Sequence, residues 1–284
     1  NVILTYTIKP VIYGSIAGRM CRLEDNYAMM SGLGSVSRGN GFKESILKLI
    51  VNTQYKIGLK GCKKIFFQNK DDIQEFVRLG LVKHQQIALI NGSGVNLKRF
   101  QIKPLAKRNT FLFVGRLLKD KGIVEYLEAA KIVKNKYKNI DFLVLGPYDS
   151  NPSAISKKVI NKYVEDGIIE YLGSTKDVRP YIEKSRIFVL PSYHEGTSRA
   201  TLEAMSMGRP IITTDAPGCR ETVIDGVNGF LVPVKDPITL AEKMMWMIEH
   251  EEETENMGQE SRKLCEEKFD VNKVNDVILK TMKL

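Results

Sequence analysis

Ile187-Phe-Val-Leu190 runs directly into Pro191-Ser-Tyr-His-Glu195-Gly196-Thr197-Ser198-Arg199-Ala200-Thr201-Leu202-Glu203-Ala204-Met205-Ser206-Met207-Gly208-Arg209, and Pro210-Ile-Ile-Thr213 follows. The first run is apolar on both faces, as a strand inside a covered parallel sheet is. The middle stretch reads as a loop of small residues leading into a helix over residues 199–207, closed by Gly208. Strand, helix and strand in that order form a right-handed parallel unit. Small residues at 196–198 let backbone amides approach an anion at the helix start. Glu203 falls about one turn inside an otherwise apolar helix, where a carboxylate is costly unless it accepts hydrogen bonds. Glu195 and Glu203, one in the loop and one in the first helical turns, can face a single bound molecule. A capping acid beside a structural acid is the other reading of the same pattern.

The alternation extends outward from this unit. Apolar runs at 111–114, 140–145, 168–172, 187–190, 210–213 and 230–232 predict strands. Helical spacing occupies 123–133, 178–185, 199–207 and 239–250. Such a series builds a doubly wound sheet, and ligands of such sheets sit outside the carboxyl ends of the strands. Towards the amino terminus, 2–8, 27–31, 64–68 and 86–90 form a second predicted set of strands with helices between them. Residues 98–109, with Pro104 and five basic side chains, read as the linker. A Glu-rich helix over 254–268 has the pattern of a solvated face, and a last helix covers 271–284.

A chain of 284 residues is longer than one core usually organises, so two domains are expected, with 43% hydrophobic and 27% charged residues of ordinary globular type. No apolar run is long enough to span a bilayer, and residues 1–10 lack a basic region leading into an apolar core. Asn1 leads straight into a strand-like run, so the chain is expected to begin mid-fold. Cys21, Cys62, Cys219 and Cys265 are widely spaced without a nearby His pair, which predicts reduced thiols rather than a disulfide or zinc framework. The net charge of +10 lies wholly in residues 1–103, which hold 16 Lys/Arg and 6 Asp/Glu. That asymmetry points to an anionic partner, with a generally basic surface as the alternative.

Two further loops follow predicted strands. In Val114-Gly115-Arg116-Leu117-Leu118-Lys119-Asp120-Lys121-Gly122 the glycine allows a close turn, and Arg116 and Lys121 flank the entrance of a helix. Two cations beside a helix N-terminus suit a diphosphate, although surface cations near loops are common. Thr213-Thr-Asp-Ala-Pro-Gly-Cys-Arg-Glu221 and Asp225-Gly-Val-Asn-Gly229 are dominated by turn formers and receive no catalytic role.

In order and spacing, these loops resemble those of the retaining glycosyltransferases of GT-B architecture, and within them glycosyltransferase family 4. Glu195 to Glu203 matches the family's E-x7-E element, and Gly115-Arg116 with Lys121-Gly122 matches its phosphate element. Ala216-Pro-Gly-Cys-Arg-Glu-Thr-Val and Asp225-Gly-Val-Asn-Gly-Phe-Leu-Val also resemble family text, so that the likeness covers nearly all of 104–284. In the first segment, 5–14 and Ser31-Gly32-Leu33-Gly34 resemble bacterial transferases of capsule and lipid-linked oligosaccharide synthesis. Two departures stand out: the family's Gly-rich loop after its first strand is absent, and Tyr6 stands near where many relatives carry His.

The resemblance implies an α/β fold of two facing Rossmann-like domains with parallel sheets, the N-terminal one incomplete. The expected divisions are an acceptor-side domain over 1–103, a nucleotide-sugar domain over 104–268, and a C-terminal helix over 269–284 packing back toward the first. It implies that Arg116 and Lys121 neutralise the donor diphosphate, and that Glu195 with the amides of Gly196, Thr197 and Ser198 holds the transferred sugar and phosphates. Glu203 accepts from the ribose hydroxyls, Gly115, Arg199 and Leu202 belong to the donor site, and Gly173 and Ser174 lie beside the base. Lys9, Gly32 and Gly34 are the acceptor-side candidates. The implied reaction moves an N-acetylhexosamine or hexose from a UDP-sugar to a polyprenyl-diphosphate-linked saccharide with retention, without cofactor or metal. The basic stretch from Phe42 to Val51 either rests on an anionic membrane surface or faces a core. The implied location is the cytoplasm, at the cytoplasmic face of the inner membrane. No nucleic-acid reading helix or aromatic RNA platform is recognisable. A nucleotide-sugar epimerase of the same architecture and a non-catalytic nucleotide-sugar-binding module are the alternative readings.

Overall fold

The computed structural model describes residues 1–31 and 42–284, in two compact units. The first comprises Asn1–Ser93, Glu195–Thr197 and Asn272–Leu284. Its sheet is wholly parallel in the order β1 (Val2–Tyr6), β2 (Asp25–Met29), β3 (Lys64–Phe67) and β4 (Ile87–Leu89). The connecting helices are α1 (Ile8–Met20), α2 (Phe42–Leu59) and α3 (Lys70–Arg78). The strand expected over 2–8 ends at Tyr6, because Thr7 turns the chain with φ 70° and α1 begins at Ile8. Pro10 sits in the first turn of that helix, where its missing N–H costs nothing. α3 is capped by Asn69, whose side chain accepts from the Asp72 amide at 2.7 Å.

The period of two in β2 divides this core. Ala28 and Met30 pack with Val11, Ile12, Tyr55 and Phe67 on one face, whereas Tyr27 and Met29 pack with Phe66 and Ile90 on the other.

The second unit comprises Gly94–His194 and Ser198–Val271. Its strands are β5 (Thr110–Val114), β6 (Asp141–Leu145), β7 (Glu170–Tyr171), β8 (Ile187–Leu190), β9 (Ile211–Thr214) and β10 (Gly229–Val232). All pairings are parallel, in the order β10-β9-β8-β5-β6-β7. The helices are α4 (Ile123–Lys136), α5 (Lys157–Glu165), α6 (Arg179–Lys184), α7 (Arg199–Ser206), α8 (Pro237–Glu249) and α9 (Glu251–Lys268). α4 packs on α8 and α7 on α9. Phe111, Phe113, Phe142, Phe188, Ile211 and Ile212 are fully buried between these layers. α9 turns Met257, Ser261 and Cys265 inward and leaves its acids outside.

The last helix, α10 (Val271–Met282), belongs to the first unit from Asn272 onward and covers its second face with Val274, Ile278 and Met282. Tyr27 donates its hydroxyl to the Met282 carbonyl at 3.1 Å.

The boundary between the units falls at 93/94, ahead of the expected 103/104. Residues 94–103 are held by the second unit: Val95 bridges Asp270, and Phe100 joins the core. Arg209, fully buried, donates to the carbonyls of Lys103, Pro104, Ser185 and Met207. Desolvation lowers its guanidinium to about 10, a cost that these four acceptors offset.

Candidate active site

In the second unit the chain moves outward from β5 through β6 to β7, then returns to the other side of β5 with β8. The strand order therefore reverses between β5 and β8, and the crevice of such a sheet opens at the carboxyl ends of those two strands. Two backbone locks fix the loops there. Gly122, at φ 73°, lies so close to Pro191 that a Cβ would sit 2.0 Å from its carbonyl oxygen. The Asp120 carbonyl accepts from the Tyr193 amide at 2.9 Å and from Ser192 Oγ at 3.1 Å. Tyr193 donates to Glu125 Oε1 at 2.6 Å, which joins the loop after β8 to the first turn of α4. Burial, then that carboxylate, pushes the phenol up.

Arg116 and Lys121 both stand on the β5 loop, Lys121 closing a single 3₁₀ turn before Gly122. Arg116 is half-exposed and pairs with Asp149 at 2.9 Å. The Asn151 amide, then the guanidinium, hold the Asp149 carboxyl below its usual range. Gly115 leads out of β5 with its amide on Leu145, yet a Cβ there meets nothing closer than 3.5 Å. The crowded glycine is Gly146, after β6, whose Cβ would lie 1.8 Å from the Gly115 carbonyl oxygen. The close approach expected at Gly115 is made by its neighbour. Gly173 accepts from the Gly146 amide at 2.7 Å at the end of β7, and Ser174 follows it, exposed.

On the β8 side, Ser198 caps α7 by accepting from the Thr201 amide at 3.3 Å. Leu202 is in the core, Arg199 is exposed, and Glu203 keeps 16% of its side-chain surface, 3.8 Å from Arg199. Burial pushes the Glu203 carboxyl above its usual range, against the pull of Arg199 and Arg99. A largely desolvated carboxylate is a group prepared to accept from ligand hydroxyls.

Glu195, Gly196 and Thr197 group with the first unit. Asn69 Nδ2 donates to the carbonyls of Glu195 and Gly196 at 3.3 and 3.2 Å, and a Cβ on Gly196 would lie 2.6 Å from Gln68 Oε1. Thr197 Oγ1 donates to the Gly196 carbonyl at 2.9 Å. Lys9 stands in the first turn of α1 in the same unit. Gly32 and Gly34 lie outside the described residues.

The structure thus brings Gly115, Arg116, Lys121, Gly173, Ser198, Arg199 and Glu203 to one edge of one sheet, and carries Glu195 to Thr197 and Lys9 on the other unit. Sequence reasoning missed Gly146, Asp149, Asn69 and the Tyr193–Glu125 bond. Gly146 had a signal, since it follows its apolar run as Gly115 follows β5. The others join residues distant in the chain.

These features define an α/β protein of Rossmann-like type, with its ligand loops at the switch point of a parallel sheet. The chain belongs to the family described as Glycosyl transferases group 1, whose model matches residues 95–264. It is 31% identical, over 84% of its length, to N,N'-diacetylbacillosaminyl-diphospho-undecaprenol alpha-1,3-N-acetylgalactosaminyltransferase of Campylobacter jejuni. It is 26% identical, over 93% of its length, to the capsular polysaccharide biosynthesis glycosyltransferase CapM of Staphylococcus aureus. The chain spans 65% and 71% of the lengths of those two relatives. Among solved structures, the Anabaena protein HepE in complex with UDP superposes with a TM-score of 0.82 at 19% identity, covering 99% of this chain and 78% of that one. The fold is therefore the α/β fold of GT-B glycosyltransferases.

Proposed function

We propose that the chain is part of a retaining glycosyltransferase of family 4, which moves an N-acetylhexosamine or hexose from a UDP-sugar to a polyprenyl-diphosphate-linked saccharide in bacterial surface polysaccharide synthesis. The observation that carries this reading is the edge shared by Arg116, Lys121, the capped start of α7 and the largely desolvated Glu203 at the strand reversal. Cations and amides suit a diphosphate, and a largely desolvated carboxylate suits a diol. The names of the two curated relatives support the lipid-linked acceptor and the capsular setting.

In the proposed reaction the C1–O bond to the diphosphate breaks, and its electron pair leaves with UDP. The acceptor hydroxyl attacks on the face that UDP vacates, and its proton passes to a departing phosphate oxygen. Arg116, exchanging Asp149 for phosphate, and Lys121 meet the negative charge that develops there, without a metal. Glu195 and the amides of residues 196–198 hold the sugar and the phosphates, Glu203 the ribose, and Gly173 and Ser174 border the base. Lys9 stands on the acceptor side. No helix among the described residues is long and apolar enough to cross a membrane. Docking on an anionic bilayer at the cytoplasmic face of the inner membrane is supported by the outward Ile46, Leu49, Ile50 and Ile57 of α2 and by the excess positive charge of residues 1–103.

The test is transfer from labelled UDP-sugars to a polyprenyl-diphosphate saccharide, with the new linkage read by NMR. A product with the donor's anomeric configuration is expected. Epimerised free nucleotide-sugar, or a sugar captured covalently on Glu195, would contradict the reading.

A further inference from the structure

A second cavity, of about 500 Å³, lies in the first unit, at the end of its sheet opposite the carboxyl ends. Lys63 immediately precedes β3, Gln86 immediately precedes β4, and Lys56 and Lys60 come from the last turn of α2 and just beyond it. Lys83 completes a lining of four lysines with no acid among them. Among the described residues, Lys63 alone of the four has an acidic partner, Asp25 at 2.9 Å, and Lys56, Lys60 and Lys83 make no ion pair. Leu81 and Val82, both buried, contribute an apolar wall.

A helix C-terminus ordinarily repels anions, because its last carbonyls point outward. Here Gln86 Nε2 donates to the carbonyl of Leu59, the last residue of α2, at 2.9 Å and to the Cys62 carbonyl just beyond it at 2.7 Å, so two of the oxygens that would oppose an anion are occupied. The contrast with the cavity of about 400 Å³ in the second unit is plain. Two acids line it, and they match two of its four cations: Arg179 pairs with Asp177 at 2.7 Å and Lys103 with Glu183 at 3.4 Å. In the lysine cavity three of the four lysines have no counterion among the described residues, and like charges gathered around a concave wall raise the local concentration of anions.

We propose that this cavity is a phosphate-binding site, separate from the donor site, which takes a phosphate ester through Lys56, Lys60 and Lys83 with its carbon body against Leu81 and Val82. The phosphate can belong to a soluble ester or to the headgroup of a membrane lipid, and two arms of one experiment separate these sources. In the first, glycerol 3-phosphate and inorganic diphosphate are titrated calorimetrically into protein saturated with UDP. In the second, the protein is floated with phosphatidylglycerol and with phosphatidylcholine vesicles.

The parent protein is expected to bind in at least one arm, with phosphatidylglycerol preferred if the lipid is the source. K60Q/K83Q is expected to weaken that binding at least tenfold, while K60R retains it. Affinity for UDP, measured on the same variants without phosphate, is expected to stay within twofold, which shows the fold intact and keeps this test independent of the donor reading. Binding in neither arm, or binding that K60Q/K83Q leaves unchanged, overturns the proposal.

Discussion

The two glutamates of one sequence element are built differently. Glu203 stands on α7, inside the second unit, one turn from the cap that Ser198 provides. Glu195 sits in a three-residue segment that groups with the first unit, its carbonyl tied to Asn69, the cap of α3. Regular secondary structure therefore fixes the proposed ribose end, whereas side-chain bonds from a distant part of the chain fix the proposed sugar end. Donor affinity and sugar transfer should consequently be separable by mutation.

The largest effect is expected at the diphosphate. Arg116→Ala or Lys121→Ala should remove about 2–4 kcal/mol of transition-state stabilisation, read as kcat/KM for sugar transfer. An unchanged rate in both variants would take these residues out of the mechanism. Asn69→Ala comes next. Loss of its bonds to residues 195 and 196 should cost about 1–3 kcal/mol in transfer and less than that in UDP affinity. If UDP affinity fell in parallel, the two ends would not be independent.

Glu203→Gln should weaken UDP by about 1–2 kcal/mol, because a neutral amide accepts less strongly from hydroxyls. It should also change stability with a definite sign. Burial raises the Glu203 carboxyl above its ordinary range, so the folded chain holds that proton more tightly than the unfolded chain does. The parent's stability from this group is greatest below the ordinary glutamate range and falls as pH rises through the raised value. The Gln variant should thus match the parent's Tm in acid and exceed it at mildly alkaline pH, by thermal melts across that range. The smallest effect is expected from Asp149→Asn, which frees Arg116 from a partly exposed ion pair and should tighten UDP by less than about 1 kcal/mol. Weaker binding instead would show that Asp149 positions Arg116 rather than competing for it.

Most strands and helices of the second unit were legible because their buried strands are short continuous apolar runs and their helices carry a 3.6-residue stripe, whereas α5, which buries only Ile160, was not among the expected helices. The end of β1 was not, since Thr7 and Ile8 continue the strand-like composition and only the turn at Thr7 breaks it. Gly115 and Arg116 could be read as a site from their order, but the Asp149 partner required knowing that β6 lies beside β5. Likewise, nothing local to Glu195 indicates that Asn69 holds it, because more than a hundred residues intervene. The unit boundary was misplaced for a similar reason: residues 94–103 have a linker's composition, and the buried Arg209 that anchors their end is far along the chain.

Amide hydrogen exchange with and without UDP tests the central claim most directly. Slowed exchange at residues 115–122, 173–174 and 198–203 is the expected result, since these segments lie at the carboxyl ends of the second unit's strands. UDP binding that leaves those amides unaltered, and protects others instead, would contradict the account.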